Sequence, residues 1–239
     1  MNENIKTGDY VNVTPKVNKE YICEALDKNK DAKWRILINH IPAYSAVVHM
    51  HEGYDVRNLF AELELDGLGI DVIISGHQHA YTRTKPLLTN KYEDTVYTES
   101  TNARGNTFLL MQPKIADENV IESSEDSKIT IATNPEGMFH ITVPALIYNA
   151  HRYLARDFEV YSGKFGITRE EMMYVNDEIV PSDYIKEAIR FSPSSCLFVT
   201  VEKKENLEQI KFEFVQNDAS ETKVADEYNV LDTFIIKKC

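Results

Sequence analysis

Two short β-branched runs that each stop at a histidine constrain this chain more than any other feature in it. The first is Ile70, Val72, Ile73 and Ile74, broken by Ser75-Gly76 and followed by His77-Gln-His79-Ala-Tyr-Thr-Arg83. An apolar run this short, ended by a glycine, predicts a strand buried on both faces. The second is Trp34-Arg-Ile-Leu-Ile-Asn39, which ends at His40-Ile-Pro42, where the proline prevents continuation in a sheet centre. Between them Tyr54 to Leu68 reads as a helix, with Val56, Leu59, Phe60, Leu63 and Leu68 as its apolar face. Strand, helix, strand with a right-handed crossover predicts two parallel strands, so His40 and the His77/His79 pair are expected at one edge of one sheet. Ligands gather at that edge in open α/β sheets, and histidines two apart in extended backbone point the same way, so imidazoles there can converge on an ion.

Charge and composition narrow the classes. A net charge of -12 argues against a nucleic-acid surface or an anionic-membrane binder, and 43% hydrophobic residues suffice for a core. No apolar stretch approaches a membrane span, and the opening residues Met-Asn-Glu-Asn-Ile-Lys have no hydrophobic signal core. Cys23, Cys196 and Cys239 are few, odd in number and far apart, with no Cys-x-x-Cys, so neither a disulfide framework nor a thiolate zinc site is suggested; Cys23 and Cys196 read as small buried residues.

Taken together, Trp34 to Tyr44, His49-Met-His51-Glu-Gly53 with Arg57, and Asp71 to Arg83 resemble the calcineurin-like metallophosphoesterases, most closely their purple acid phosphatase branch. A Gly-His-x-His preceded by a strand ending in His-x-Pro, and followed by Ala-Tyr-x-Arg, is a specific combination. The resemblance implies an α/β fold, a four-layer α-β-β-α sandwich of which this chain would be the C-terminal half, read as a single domain over 1–239. It has a strand-helix-strand core at 17–101, an expanded middle at 102–190 and closing strands at 191–239. It implies a dinuclear centre of iron, zinc or manganese and hydrolysis of phosphate esters by metal-activated hydroxide. By the match, His40 and His77 would ligate one metal and His79 the other. His49 would stand near the leaving group as a catalytic histidine, with His51 its neighbouring alternative. Arg83 would either buttress the metal loop or stand in solvent, and Asp71 and Glu52 could orient imidazoles from behind, although lone carboxylates in such positions are more often solvated.

The departures from the family pattern are also in the sequence. The Asp-x-His, Gly-Asp-x-x-Asp and Gly-Asn-His-Glu/Asp motifs that complete the metal pair are absent from the 39 residues before His40; Gly8-Asp9-Tyr-Val-Asn12 is only a faint echo. The expected partners are therefore a phosphate ester and a complementary N-terminal half. The alternative is an inactive remnant or interaction module that binds one metal or none. Purple acid phosphatases are commonly exported, so the resemblance allows secretion.

Elsewhere, Val17 to Lys28 reads as a helix with Tyr21, Ile22, Ala25 and Leu26 on its apolar face, and Thr95 to Thr98 as a short strand. Lys114 to Lys128 reads as an acidic surface excursion, Met138 to Ala150 as a strand, and Pro181 to Arg190 as a short helix capped by Ser182 or Asp183. Strands are expected at Cys196–Glu202, Gln209–Gln216 and Val230–Lys237. His140 and His151 match nothing in the family pattern and read as core or surface residues.

Overall fold

The computed structural model describes residues 15–44, 56–57, 60, 68–77, 80–88, 97–101, 107–111, 113–116, 121–124, 129–144, 185–190, 195–204, 207–217 and 228–239. The elements are helix α1 (Pro15–Lys28), then β1 (Ile36–Asn39), β2 (Val72–Ser75), β3 (Ala80–Thr84), β4 (Leu87–Leu88), β5 (Tyr97–Thr101), β6 (Thr107–Met111) and β7 (Lys114–Ile115). They continue with β8 (Ile121–Ser124), β9 (Ile129–Thr133), β10 (Phe139–Thr142), β11 (Ile185–Arg190), β12 (Ser195–Lys204), β13 (Leu207–Asn217) and β14 (Tyr228–Lys238).

Two five-stranded sheets carry the fold, in the orders β1-β2-β10-β3-β11 and β12-β13-β14-β9-β8; β4 with β7 and β5 with β6 form small antiparallel ladders. β1 and β2 are parallel, as the strand-helix-strand pattern predicts, with Ile36 opposite Val72 and Asn39 opposite Ser75. β10 lies parallel on the other side of β2, and this is why the β2 run is apolar throughout: a strand with neighbours on both edges and packing on both faces has no solvent side. Val56, Arg57 and Phe60, inside the helix expected between β1 and β2, are helical.

Side-chain alternation splits the core into two layers. Ile73 of β2 packs with Ala43, Tyr44, Phe60, Leu87 and Met138, and Ile22 and Leu26 of α1 complete that layer from outside. Val72, Phe139 and Ile141 point the other way, into a layer shared with Phe212, Phe214 and Phe234 of the second sheet. The result is an α/β arrangement of two packed sheets with a helix outside the first. Tyr21, expected on the buried face of α1, is 75% exposed, and only Ile22 and Leu26 of that face reach the core.

The sheets are bound by a buried polar network as well as by apolar packing. Arg83 of β3 donates from Nε to Asp232 Oδ2 at 2.8 Å and from its terminal nitrogen to Asp232 Oδ1 at 3.0 Å. Tyr81 donates its hydroxyl to Asp232 Oδ2 at 2.6 Å, and Arg83 also reaches Thr130 Oγ1 on β9. Burial first, and then the Asp232 charge, hold the Tyr81 phenol well above its ordinary pKa, so it remains a donor.

Several expectations are corrected. Residues 185–190 form β11, a strand, because β3 offers them an antiparallel ladder from Ile185 opposite Thr84 to Arg190 opposite Ala80. The stretch read as a surface excursion contains β7 and β8, and β8 pairs with β9, itself parallel to β14. Cys23 is exposed rather than buried, and Cys196 is half-buried. His140 is a core residue, whereas residue 151 lies outside the described residues. The three closing strands fall where expected, each longer by one or two residues at either end. At Gly137 the backbone has φ +76°, and an added Cβ would meet Leu87 O at 2.6 Å, so only glycine fits beside the Leu87–Met138 backbone pair.

Candidate metal centre

β1 and β2 end together. Asn39 and Ser75 are register partners, and immediately beyond them the His40 carbonyl accepts from the Gly76 amide at 3.1 Å. The Ser75 hydroxyl donates to Asn39 Oδ1 at 2.7 Å, and Asn39 Nδ2 donates to the Ile41 carbonyl, bracketing His40. β10 reaches the same edge, where the Val143 amide donates to Ser75 O at 2.8 Å. Parallel strands in register therefore deliver their next side chains to one place.

Those side chains are His40 and His77. His77 Nδ1 lies 3.3 Å from His40 Nε2, with the rings edge to face at 5.1 Å between centroids. Both residues are exposed. In a tetrahedral site with metal–nitrogen bonds of about 2.0–2.1 Å, two imidazole nitrogens stand roughly 3.3–3.4 Å apart, so the pair fits as two ligands of one ion. The same separation suits an N–H···N hydrogen bond between opposite tautomers. Among the described residues no group of three His, Cys, Asp or Glu side chains forms a metal-binding cluster.

His77 is held in an unusual backbone state, φ +70°, the left-handed region where a non-glycine residue costs about 1 kcal/mol or more. Asparagine tolerates that region better than most residues. His77→Asn is therefore expected to leave stability unchanged or raise it by up to about 1 kcal/mol in urea unfolding, while removing one of the two nitrogens from the pair. A loss of more than about 1 kcal/mol would show that the imidazole contributes packing rather than ligation.

The remaining expected residues fall differently. His49, His51, His79 and Glu52 lie outside the described residues. Arg83 points into the inter-sheet network and supports β3, the strand that begins immediately after His79, from below. Asp71 is not behind an imidazole: it precedes β2, at the opposite end from His77, and accepts from the Arg35 amide at 2.9 Å while pairing with Lys238 Nζ at 2.6 Å. Lys238 also lies over the Trp34 ring at 4.6 Å, so this corner secures the start of β1 and β2 to the end of β14. Asn39, Ser75 and Asp232 were not singled out from sequence. Asp232 had a readable signal, since it shares strand parity with the inward-facing Phe234 and Ile236 and a carboxylate there must find a buried partner.

Comparison with known proteins finds likenesses over the segment that carries this sheet edge. The family described as Calcineurin-like phosphoesterase matches residues 3–81, which is 79 of the 239 residues and includes both strand-end histidines. Over that segment the chain is similar to the calcineurin-like phosphoesterases. It is 42% identical over 55 residues to Purple acid phosphatase 18 of Arabidopsis thaliana, a stretch that is 22% of this chain and 12% of that protein. A purple acid phosphatase from yellow lupin (Lupinus luteus) seeds aligns in structure over 96% of this chain and 29% of its own length, with 16% identity and a TM-score of 0.45. The chain thus spans well under half the length of either relative.

Proposed function

We propose that this chain carries the histidine half of a metal-dependent phosphoesterase centre that hydrolyses phosphate esters. The observation that supports it most is the 3.3 Å convergence of His40 Nε2 and His77 Nδ1 at the shared end of two parallel strands, inside the segment matched by the phosphoesterase family. When bound, a pair of iron, zinc or manganese ions in this class supplies Lewis acidity toward the phosphoryl oxygens and lowers the pKa of water.

The chain's own residues supply placement and proton control. His40 and His77 would present neutral nitrogens to one ion, with His79 directed to its neighbour. His49, or His51 beside it, would bind the ester phosphate or protonate the leaving oxygen, since imidazole exists in both forms near neutral pH. The two-ion centre also needs oxygen ligands, and the three carboxylate and asparagine motifs are not in this sequence. A complementary N-terminal half would contribute them.

The test is metal content together with p-nitrophenyl phosphate turnover, for the chain alone and with a complementary half added, each beside a His77→Ala control. Close to two ions per chain and turnover lost by at least about 100-fold in the control would support a complete centre. One weak ion with turnover only on complementation would support the half-centre. A chain that binds no metal and gains no turnover on complementation would overturn the proposal and leave an inactive module.

A further inference from the structure

We infer that Asn39 and Ser75 are a positioning pair that sets the separation of the two imidazoles, an inference that rests on the metal centre proposed above. Both are the last residues of their strands, and the parallel register places them opposite one another. The ladder fixes the backbone only that far. His40 and His77 stand beyond it and are exposed, so core packing does little to orient them.

The polar pair does what packing does not. Ser75 is buried at the end of Val72-Ile-Ile, and a hydroxyl in an apolar run costs desolvation unless it finds a partner. Its partner is the amide of Asn39, at 2.7 Å, whose other end donates to the carbonyl of Ile41. One side chain therefore joins β2 to β1 and clamps the turn that carries His40. Two apolar residues would close the strands equally well. What they would not do is fix the turn around His40 relative to the residue two before His77. Outer hydrogen bonds that orient metal-binding histidines typically change affinity by 10–100-fold.

The experiment uses the full chain and two readouts. Imidazole nitrogen spectra of the metal-free protein report the tautomer and ordering of His40 and His77, and cobalt(II) titration, followed by its visible absorption, reports affinity and coordination. Circular dichroism checks folding of each variant. Ser75→Ala and Asn39→Leu are expected to average the ring-nitrogen signals and weaken cobalt about tenfold or more, and Ser75→Thr, which keeps the hydroxyl, is expected to restore both. Unchanged ring-nitrogen signals and cobalt affinity in folded Ser75→Ala and Asn39→Leu would overturn the inference. Cobalt binding that is absent, or that survives His40→Ala, would instead sink the metal reading; the ring-nitrogen spectra of Ser75→Ala then decide the positioning role by themselves, averaged signals supporting it and unchanged ones overturning it.

Discussion

Replacing Asp232 with alanine is expected to cost about 3–5 kcal/mol of folding stability, the range for breaking a buried ion pair from one side. Arg83 and Asp232 are almost fully buried, and the carboxylate accepts from two arginine nitrogens and the Tyr81 hydroxyl. Alanine leaves a guanidinium and a phenol facing each other in an apolar layer under the Phe234 ring, 4.7 Å from Arg83. Against a typical total of 5–15 kcal/mol, that loss is severe. Asp232→Asn should cost less, because one oxygen still accepts, though its amide nitrogen must face a donor in either orientation. Desolvation gives the prediction a sharper form: Tyr81→Phe, Arg83→Met and Asp232→Leu together should lose much less than Asp232→Ala alone. Urea unfolding of the three variants checks it. If the single variant cost under about 1 kcal/mol, the network would not be holding β3, and with it the chain leading out of His79, against the second sheet.

What the sequence revealed, and what it hid, follows from which interactions decide each element. β1 and β2 were legible because apolar β-branched runs with breakers favour strands, and their parallel direction followed from the helix expected between them. The pairing of His40 with His77 at one edge was legible for the same reason. β11 was not: Ile185 and Ile189, four apart, suit a helix face, and the outcome depends on β3 presenting an unpaired edge, which is tertiary information. β8 and β9 were hidden because the acidic, Ser-rich residues before Lys128 resemble loop, while the ladder to β14 that orders Ile129–Thr133 joins positions about a hundred residues apart. Neither reading of Asp71, as an imidazole partner or as a solvated carboxylate, anticipates its bonds to Arg35 and Lys238. A four-residue strand puts Asp71 and His77 at opposite ends of the sheet, and only the contact with Lys238 shows which end the carboxylate serves.

The second large effect concerns His140, which has no place in the proposed chemistry. It lies in β10, 2% exposed, with its ring edge-on to Tyr44 at 4.8 Å and near Phe60 at 6.0 Å; among the described residues neither ring nitrogen has a hydrogen-bond partner. Burial, and then the nearby Arg57 charge, lower its pKa to about 3. In the unfolded chain the value returns to about 6.5. Between those limits the unfolded state binds a proton that the folded state excludes, so stability is fully present above pH 6.5 and falls as pH drops toward 3. The slope is about 1.4 kcal/mol per pH unit, or about 2 kcal/mol between pH 6.5 and 5. Other groups titrate in the same window, so the measurement is a difference: urea unfolding of wild type and His140→Leu at pH 7.5, 6.5, 5.5 and 5. The two should agree within about 1 kcal/mol at pH 7.5, because leucine has similar volume and removes an unsatisfied donor. The leucine variant should then gain about 2 kcal/mol on wild type by pH 5. Parallel pH profiles would mean that the imidazole takes up its proton in the folded state, and that the layer around Tyr44 and Arg57 admits water.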